Sequence, residues 1–349
     1  TCPKYKKRKI SPFSLFAMFF VSRVLVVFTV CNATSLGKYS SDLLISVGIG
    51  LALSVLLSLP SVYLVKKKRN ILEQKWLSVL YGIYFLFLGA VSIGRFSFFA
   101  SIELNEETRS LFFASIIIVA CMYAAWLGVE PISRFGSFIF VVTILGVLSV
   151  VGFGLSDFSI LNLFPFSRNE IPNVFINSLS FACETSEILL LLVLAPDVNG
   201  RIEKPFYWSM VLSFVICGLL FFFSIGVLGD TASLASFPFY ELSQISKFDE
   251  SERLDSVYTA FWIFAVFLKG TLFVYSAAKC FKIKGRSKGC IASGIGTLLL
   301  IWIIAELRFF LRVQNWFIII PFLVFAVVIP VLFLIFRKKS KGEILLENL

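Results

Sequence analysis

Residues 174–194 read VFINSLSFACETSEILLLLVL, an apolar stretch long enough to cross a lipid bilayer as a helix. Two carboxylates, Glu184 and Glu187, interrupt this stretch near its middle, among small polar residues. An ionised side chain near the bilayer centre costs roughly 2.5–3.5 kcal/mol on insertion scales, so each one requires a structural or functional reason. We therefore expect a membrane helix that unwinds at this point and exposes backbone groups to a polar cavity.

Apolar stretches of similar length recur along the chain and predict an all-α polytopic membrane protein with ten transmembrane helices. Of its 349 residues, 58% are hydrophobic and 15% are charged, whereas soluble domains average about 25% charged residues. The composition therefore excludes an ordinary soluble domain. The ten predicted spans are Ile10–Cys31, Leu43–Val65, Trp76–Ile102, Leu111–Leu127, Phe135–Leu155, Val174–Leu194, Phe206–Leu228, Val257–Ala278, Ile291–Leu311 and Trp316–Phe336.

Positive charge alternates between the gaps that separate these spans. Alternate gaps hold 22 of the 32 Lys and Arg residues, with the largest groups at 4–9, 66–75, 279–288 and 337–341. Because Lys and Arg collect on the cytoplasmic side of membrane proteins, both termini are predicted to be cytoplasmic. Since the basic residues lie at helix ends rather than on one continuous face, the net charge of +11 indicates contact with the lipid bilayer and no nucleic-acid partner.

The chain is predicted to form a single transmembrane domain, residues 1–349, built as a five-plus-five inverted repeat. The first repeat covers about residues 10–155 and the second about 174–336, with cytoplasmic tails at 1–9 and 337–349. In transporters with such repeats, helices are interrupted at mid-membrane. Helices one and six, which begin the two repeats, are therefore expected to be broken.

The longest segment predicted outside the membrane, about residues 229–256, contains more than a plain linker. It carries the apolar patch FPFYEL at 237–242 and then a periodic stretch from Leu242 to Phe248, which predicts a short helix over the outer mouth. A solvated loop is the alternative, although loops of this length are usually functional. The residues expected to form an outer lid or a partner contact are Phe237, Pro238, Phe239 and Glu241.

Other ionisable residues lie inside or near the ends of the predicted spans. Arg95, Glu187 and Glu306 are expected to belong to an intramembrane charge network. Two interpretations stay open: a buried polar pathway that binds a charged solute or relays protons, and a set of structural ion pairs that join helices. The candidate ligand-binding residues are Ser22, Arg23, Ser180, Cys183, Glu184, Thr185 and Lys269.

Enzyme chemistry has little support in this sequence. The chain has no histidine, which removes histidine acid–base catalysis and most transition-metal sites. Its seven cysteines are scattered without a paired spacing, which argues against a zinc site or a disulfide framework. We therefore expect no catalytic residues, no metal and no cofactor.

Several segments resemble the B-subunit family of spore germinant receptors across nearly the whole chain. The turn predicted between helices four and five is similar to that family's G-x-E-x-I-x-R motif, and the outer segment is similar to its FPxxEL…IS…ERLD loop. The start of span one and the middle of span eight also resemble the family. The segments are ISPFSLF (10–16), GVEPISR (128–134), FPFYEL (237–242), IS (245–246), ERLD (252–255), FWIF (261–264) and FLK (267–269).

The resemblance implies a fold of the amino acid–polyamine–organocation transporter superfamily. It also implies a subunit that senses a small nutrient, typically an amino acid, in the inner membrane of a bacterial spore, with the receptor's A and C subunits as partners. The chain departs from this pattern at two places: span one lacks the usual glycines, and Cys183 stands where many members have glycine before Glu184. Arg23 could then supply the contact to an anion.

Two alternatives to a receptor subunit stay open. An ion- or proton-coupled amino-acid transporter would move the solute across the membrane, whereas a receptor would only bind it. A non-binding assembly subunit is the second alternative, and the absent glycines favour it.

Overall fold

A computed structural model describes residues 9–29, 40–105, 107–164, 170–235, 237–245, 247–249, 252–253, 255–306 and 316–336. These residues are mainly helical, with one antiparallel hairpin formed by β1 (Lys247–Asp249) and β2 (Glu252–Arg253). In this part of the chain, nine helices are long and apolar enough to cross a membrane, and a shorter apolar helix covers Pro12–Leu25. The prediction of an all-α polytopic fold is confirmed, while the count of ten helices and the internal repeat stay predictions.

The helices follow the predicted spans closely. Pi-helical turns extend the third helix through Ala100–Leu104 and interrupt the last span at Val324–Val328. The helices are α1 (Pro12–Thr29), α2 (Asp42–Lys66), α3 (Lys75–Phe99), α4 (Ser110–Leu127), α5 (Val129–Gly154), α6 (Ile171–Cys183), α7 (Glu187–Leu194), α8 (Glu203–Leu228), α9 (Pro238–Ile245), α10 (Asp255–Phe281), α11 (Arg286–Glu306), α12 (Trp316–Leu323) and α13 (Ile329–Phe336).

The sixth span is broken where its sequence is polar. Helix α6 ends at Cys183 and α7 begins at Glu187, so residues 184–186 form the break. The small polar side chains around the break compete with the backbone for hydrogen bonds, which favours turns over helix continuation. The prediction of a broken sixth helix is therefore confirmed.

The first span does not show the expected break. Helix α1 runs without interruption from Pro12 to Thr29. Glycine provides the backbone freedom that a break requires, and an internal proline removes a helical hydrogen bond. The sequence after Pro12 contains neither residue within this helix, so the prediction of a break was wrong for these residues.

The outer segment folds into the short helix α9 followed by the β1–β2 hairpin. The helix begins at Pro238, four residues earlier than the periodic stretch predicted. Proline is favoured in the first turn of a helix because its fixed φ suits the helix and its missing N–H has no partner there anyway. The predicted helix is confirmed, but its start and its C-terminal end were placed too late.

Two of the segments rich in Lys and Arg, 66–75 and 279–288, meet at one end of the helix bundle. The Lys282 ammonium donates to the Leu72 carbonyl at 2.7 Å. The Ile10 N–H donates to the Asp197 carbonyl at 2.9 Å, and Lys279 lies 2.5 Å from the Asp197 carboxylate. We call this end of the bundle the basic face. The side of the membrane on which it lies stays a prediction.

Helix α10 occupies the centre of the bundle and packs against α1, α3, α4, α5 and α11. The short helix α7 contacts α10 and α2, and every one of its residues is buried. Helix α1 packs against α7 and also against α8 and α10. The break between α6 and α7 is therefore surrounded by several helices. This arrangement brings ionisable residues from four elements into one buried region.

Candidate functional site: a charge cluster at the break in the sixth span

The break between α6 and α7 is a tight turn. The Glu184 N–H donates to the Ser180 carbonyl at 2.9 Å, and the Ser186 N–H donates to the Glu184 carbonyl at 2.8 Å. The Thr185 hydroxyl lies 3.2 Å from the Ser54 hydroxyl on α2. These contacts fix the turn and place Glu184 and Glu187 at its two ends.

Glu184 forms an ion pair with Arg95 of α3, with 2.9 Å between the Arg95 Nη1 and Glu184 Oε1 atoms. The two side chains are 16% and 19% exposed, so protein atoms do not enclose this pair completely. A hydrogen bond between ionised partners is about twice as strong as one between neutral partners. The pair therefore holds α3 against the break while leaving one side of it accessible.

Glu187 forms the second, more deeply buried ion pair. Its carboxylate lies 3.5 Å from the Lys269 ammonium on α10 and accepts a hydrogen bond of 2.5 Å from the Ser22 hydroxyl on α1. The Lys269 ammonium also donates to the Ser22 backbone carbonyl at 3.1 Å. All three side chains are buried. One carboxylate and one ammonium thus connect α1, α7 and α10.

Arg23 approaches the break from α1. Its Nη2 atom donates to the backbone carbonyl of Phe181, in the last turn of α6, and its guanidinium lies 4.4 Å from the ring centroid of Phe214 on α8. The residue is 3% exposed, and its Nε and Nη1 atoms have no hydrogen-bond partner among the described residues. Arg23 is therefore held by one hydrogen bond and by contact with one aromatic ring. Its Nε and Nη1 atoms can still donate hydrogen bonds.

These residues form what we call the charge cluster: Ser22, Arg23, Arg95, Glu184, Glu187 and Lys269. The structure brings together most of the predicted ligand-binding residues here. Thr185 lies in the turn itself, Cys183 is buried at the end of α6, and the Ser180 hydroxyl is buried without a hydrogen-bond partner among the described residues. Their binding role stays a prediction.

The predicted network of Arg95, Glu187 and Glu306 is described only in part. Arg95 pairs with Glu184, and Glu187 pairs with Lys269. The side chain of Glu306 lies outside the described part of the structure. Within the described ranges, no three His, Cys, Asp or Glu residues come together as a metal site.

Sequence reasoning missed two features of this region. It gave no signal for Phe214, because one aromatic residue among 41 phenylalanines carries no distinguishing pattern. It also overlooked Asp197, which Lys279 and the Tyr275 hydroxyl contact at 2.5 and 3.3 Å. The gap that contains Asp197 holds two acidic and two basic residues, so no charge pattern singled out Asp197.

The residues predicted to form an outer lid face the interior of the bundle. Phe237, Pro238 and Phe239 are buried, whereas Glu241 is partly exposed. The Phe237 ring lies 5.0 Å from Phe99 and 5.9 Å from Trp262, measured between centroids. Within α9, the Tyr240 ring lies 5.1 Å from Phe99 of α3 and the Phe239 ring is stacked on Tyr258 of α10. Helix α9 is thus packed on α3 and α10, and its role as a lid stays a prediction.

Residues 9–311 of the chain match the family described as "Spore germination protein". The chain belongs to the spore germination protein family. Spore germination protein KB of Bacillus subtilis (strain 168) is 27% identical over 292 residues, which cover 77% of this chain and 78% of that protein. Spore germination protein YndE of the same organism is 32% identical over 127 residues, or 34% of each chain.

The fold of this spore germination family member is similar to that of a known transporter. The matching structure is Mhp1, a nucleobase-cation-symport-1 family transporter, in a closed conformation with bromovinylhydantoin bound. The TM-score is 0.54 at 16% identity, covering 85% of this chain and 73% of Mhp1. The family and fold are those of permease-like and transporter-like membrane proteins. This chain is therefore an integral multi-pass membrane protein with an amino acid–polyamine–organocation type of fold.

Proposed function

We propose that this chain is the membrane subunit of a nutrient germinant receptor, which binds a small solute, an amino acid, and signals spore germination. The observation that carries the proposal is the charge cluster at the break between α6 and α7, in a member of the spore germination protein family. Two Arg23 nitrogens, Nε and Nη1, and the Glu187 Oε2 atom are buried without hydrogen-bond partners among the described residues. Unpartnered donors and acceptors match the two charged ends of an amino acid.

The proposed setting is the inner membrane of the spore, with both termini cytoplasmic and with the receptor's A and C subunits as partners. The basic face supports this orientation, because Lys and Arg collect on the cytoplasmic side. Ligand binding would shift the balance between conformations of the bundle, and the partner subunits would respond to that shift. Helix α9 and its aromatic contacts are the proposed outer lid.

The experiment is thermal unfolding of the purified protein across a panel of amino acids, sugars and nucleosides. A ligand that binds only the folded state stabilises it by RT ln(1 + [L]/Kd), so the transition temperature rises with the logarithm of the ligand concentration above Kd. We expect at least one amino acid to do so, and we expect Glu184→Gln to remove the effect. If the same ligand stabilises both proteins equally, the site assignment is wrong.

A coupled transporter is the second candidate, because the fold matches that of a symporter. Accumulation of a labelled solute in vesicles would favour it, whereas binding without accumulation favours the receptor. A non-binding assembly subunit is the third, because α1 is unbroken and Arg23 already contacts the break. An intact complex with the partner subunits that shows no ligand-dependent change would favour that role.

A further inference from the structure

The charge cluster contains more positive than negative side chains. Arg23, Arg95 and Lys269 are cations, while Glu184 and Glu187 are the carboxylates that face them among the described side chains. Ionised, the cluster therefore carries a surplus of one positive charge in a mostly buried region. Such a surplus is unfavourable in a region of low dielectric constant unless a counter-charge is supplied.

The surplus positive charge is that of the Arg23 side chain. Glu184 already pairs with Arg95, and Glu187 with Lys269. Arg23 contacts a neutral carbonyl and an aromatic ring, and its Nε and Nη1 atoms have no partner among the described residues. The Arg23 guanidinium therefore has no ionised partner among the described residues.

We propose that the charge cluster binds a monovalent anion through the free nitrogens of Arg23. The inference rests on the proposed solute site and specifies the charge that the Arg23 side of this site recognises. The anion is either a halide or the carboxylate of an organic solute, because both accept hydrogen bonds from a guanidinium. A dianion fits less well, because it would change the surplus from one positive to one negative charge.

The groups around Arg23 are consistent with this ligand. The Phe214 ring covers one face of the guanidinium and limits its hydration. Glu187, a negative charge of the same cluster, is already paired with Lys269 and hydrogen-bonded by Ser22. The Oε2 atom of Glu187 is buried without a described partner. A carboxylate that also carries an ammonium would therefore satisfy both sets of unpartnered atoms.

Loss of a proton from Lys269 would also relieve the surplus, without any ligand. That change would weaken the ion pair with Glu187, the hydrogen bond to the Ser22 carbonyl, or both. The two explanations differ in what stabilises the protein. If Lys269 is deprotonated, stability will not depend on which anion is present.

The test measures thermal unfolding of the purified full chain at constant ionic strength. In one series a bulky sulfonate buffer anion is replaced stepwise by chloride or by acetate. In a second series glycine, a net-neutral zwitterion, or the ethylammonium salt of the same sulfonate, which has no carboxylate, is added. We expect the transition temperature to rise with the logarithm of concentration above Kd for at least one of chloride, acetate and glycine, and not for ethylammonium. A rise with chloride indicates a halide site, and a rise with acetate or glycine alone indicates a carboxylate site.

The decisive variant is Arg23→Gln, with Arg134→Gln as the matched control on an exposed ion pair. Loss of hydrogen bonds between charged partners should weaken anion binding at least about tenfold in Arg23→Gln and leave it unchanged in the control. If Arg23→Gln does not fold, Glu187→Gln provides the opposite test. It raises the surplus to two positive charges, so binding of chloride or acetate, which make no contact with Glu187, should become tighter.

The absence of anion-dependent stabilisation in the wild type, or equal stabilisation in Arg23→Gln, would overturn the inference. Unchanged anion binding in Glu187→Gln would also count against it. A nutrient that stabilises the protein independently of Arg23 would leave the proposed function standing and the anion site refuted. Arg23-dependent anion binding without any germination response would leave the anion site standing and the receptor function refuted.

Discussion

The Lys269 ammonium donates a hydrogen bond of 3.1 Å to the backbone carbonyl of Ser22 and so joins α10 to α1. A helical carbonyl has two lone pairs and can accept this bond in addition to its bond within the helix. The same ammonium pairs with Glu187 of α7. Three helices therefore depend on one buried cation.

Replacing that cation should destabilise the protein strongly. Lys269→Met leaves the Glu187 carboxylate buried without its counter-charge, and removal of one partner from a buried pair typically costs about 3–5 kcal/mol of unfolding free energy. The double variant Lys269→Met/Glu187→Met should cost less than the single variant, because no uncompensated charge remains. Denaturant unfolding of the two variants measures the difference, and a double variant as unstable as the sum of both single variants would contradict this account.

Glu184→Gln should remove the ligand response without preventing insertion into the membrane. The amide leaves Arg95 without an ionised partner at the accessible side of the break, where the solute is proposed to bind. Loss of a hydrogen bond to a charged group corresponds to about 1.5–3 kcal/mol, or at least about tenfold in ligand concentration. The readout is the dose dependence of germination in spores that carry the variant. Glu130→Gln, which disrupts the exposed pair with Arg134, is the control.

Gly128→Ala should destabilise the turn between α4 and α5. Gly128 has a φ of 109° and a ψ of −178°, a backbone conformation that only glycine adopts readily, and strain of this kind costs on the order of 1–3 kcal/mol. A Cβ there would also overlap the guanidinium of Arg286. Thermal unfolding should show a clearly lower transition temperature for this variant. Gly152→Ala in α5, where a Cβ meets nothing within 4 Å, should show little change.

The overlap and the backbone strain at Gly128 can be separated with a second substitution. In a protein that already carries Arg286→Ala, Gly128→Ala should lower stability only by the amount that backbone strain costs. If the loss is the same in both backgrounds, Arg286 does not contribute and the close approach has no energetic role.

Phe99→Ala should loosen the packing of α9 against α3 and α10. The Phe99 ring is fully buried and lies 4.1 Å from Trp262, 5.0 Å from Phe237 and 5.1 Å from Tyr240, measured between centroids. Truncation of a buried phenylalanine typically costs about 3–5 kcal/mol. The control is Phe112→Ala at a position that is 58% exposed. Hydrogen exchange in α9 should rise for Phe99→Ala and stay unchanged for Phe112→Ala.

Replacement of residues 237–242 by a Gly/Ser linker tests the lid role directly. The linker removes the aromatic contacts of α9 with α3 and α10, so a lid role predicts loss of the germination response. A full response in spores that carry the linker would show that these residues are neither a lid nor a required partner contact.

The sequence predicted the parts of this fold that depend on local pattern. Charge alternation placed 66–75 and 279–288 on the same side, and Lys282 does reach the Leu72 carbonyl, while the cytoplasmic orientation stays a prediction. The polar residues before Glu187 anticipated the break, because they disfavour a continuous helix locally. The break expected in α1 came from the predicted inverted repeat and not from local chemistry, and α1 lacks the glycine that would permit it.

The partners within the cluster could not be predicted from the sequence. Which cation meets Glu184 depends on how each helix is rotated about its axis, and packing against neighbouring helices sets that rotation. Arg23 illustrates the limit: it lies one residue after Ser22 but points to Phe181 and Phe214 rather than to Glu187. No spacing rule separates these two directions in advance.

Helices α7 and α10 are fastened to each other at two heights. Glu187 pairs with Lys269. Ten residues later in both segments, Asp197, in the short turn that follows α7, pairs with Lys279 of α10. Ten helical residues rise about 15 Å, so the two attachments lie far apart along the bundle. Sliding of one helix past the other would break both attachments, whereas a shared tilt would break neither. A displacement that begins at Glu187 should therefore reach the basic face as a movement of the whole pair.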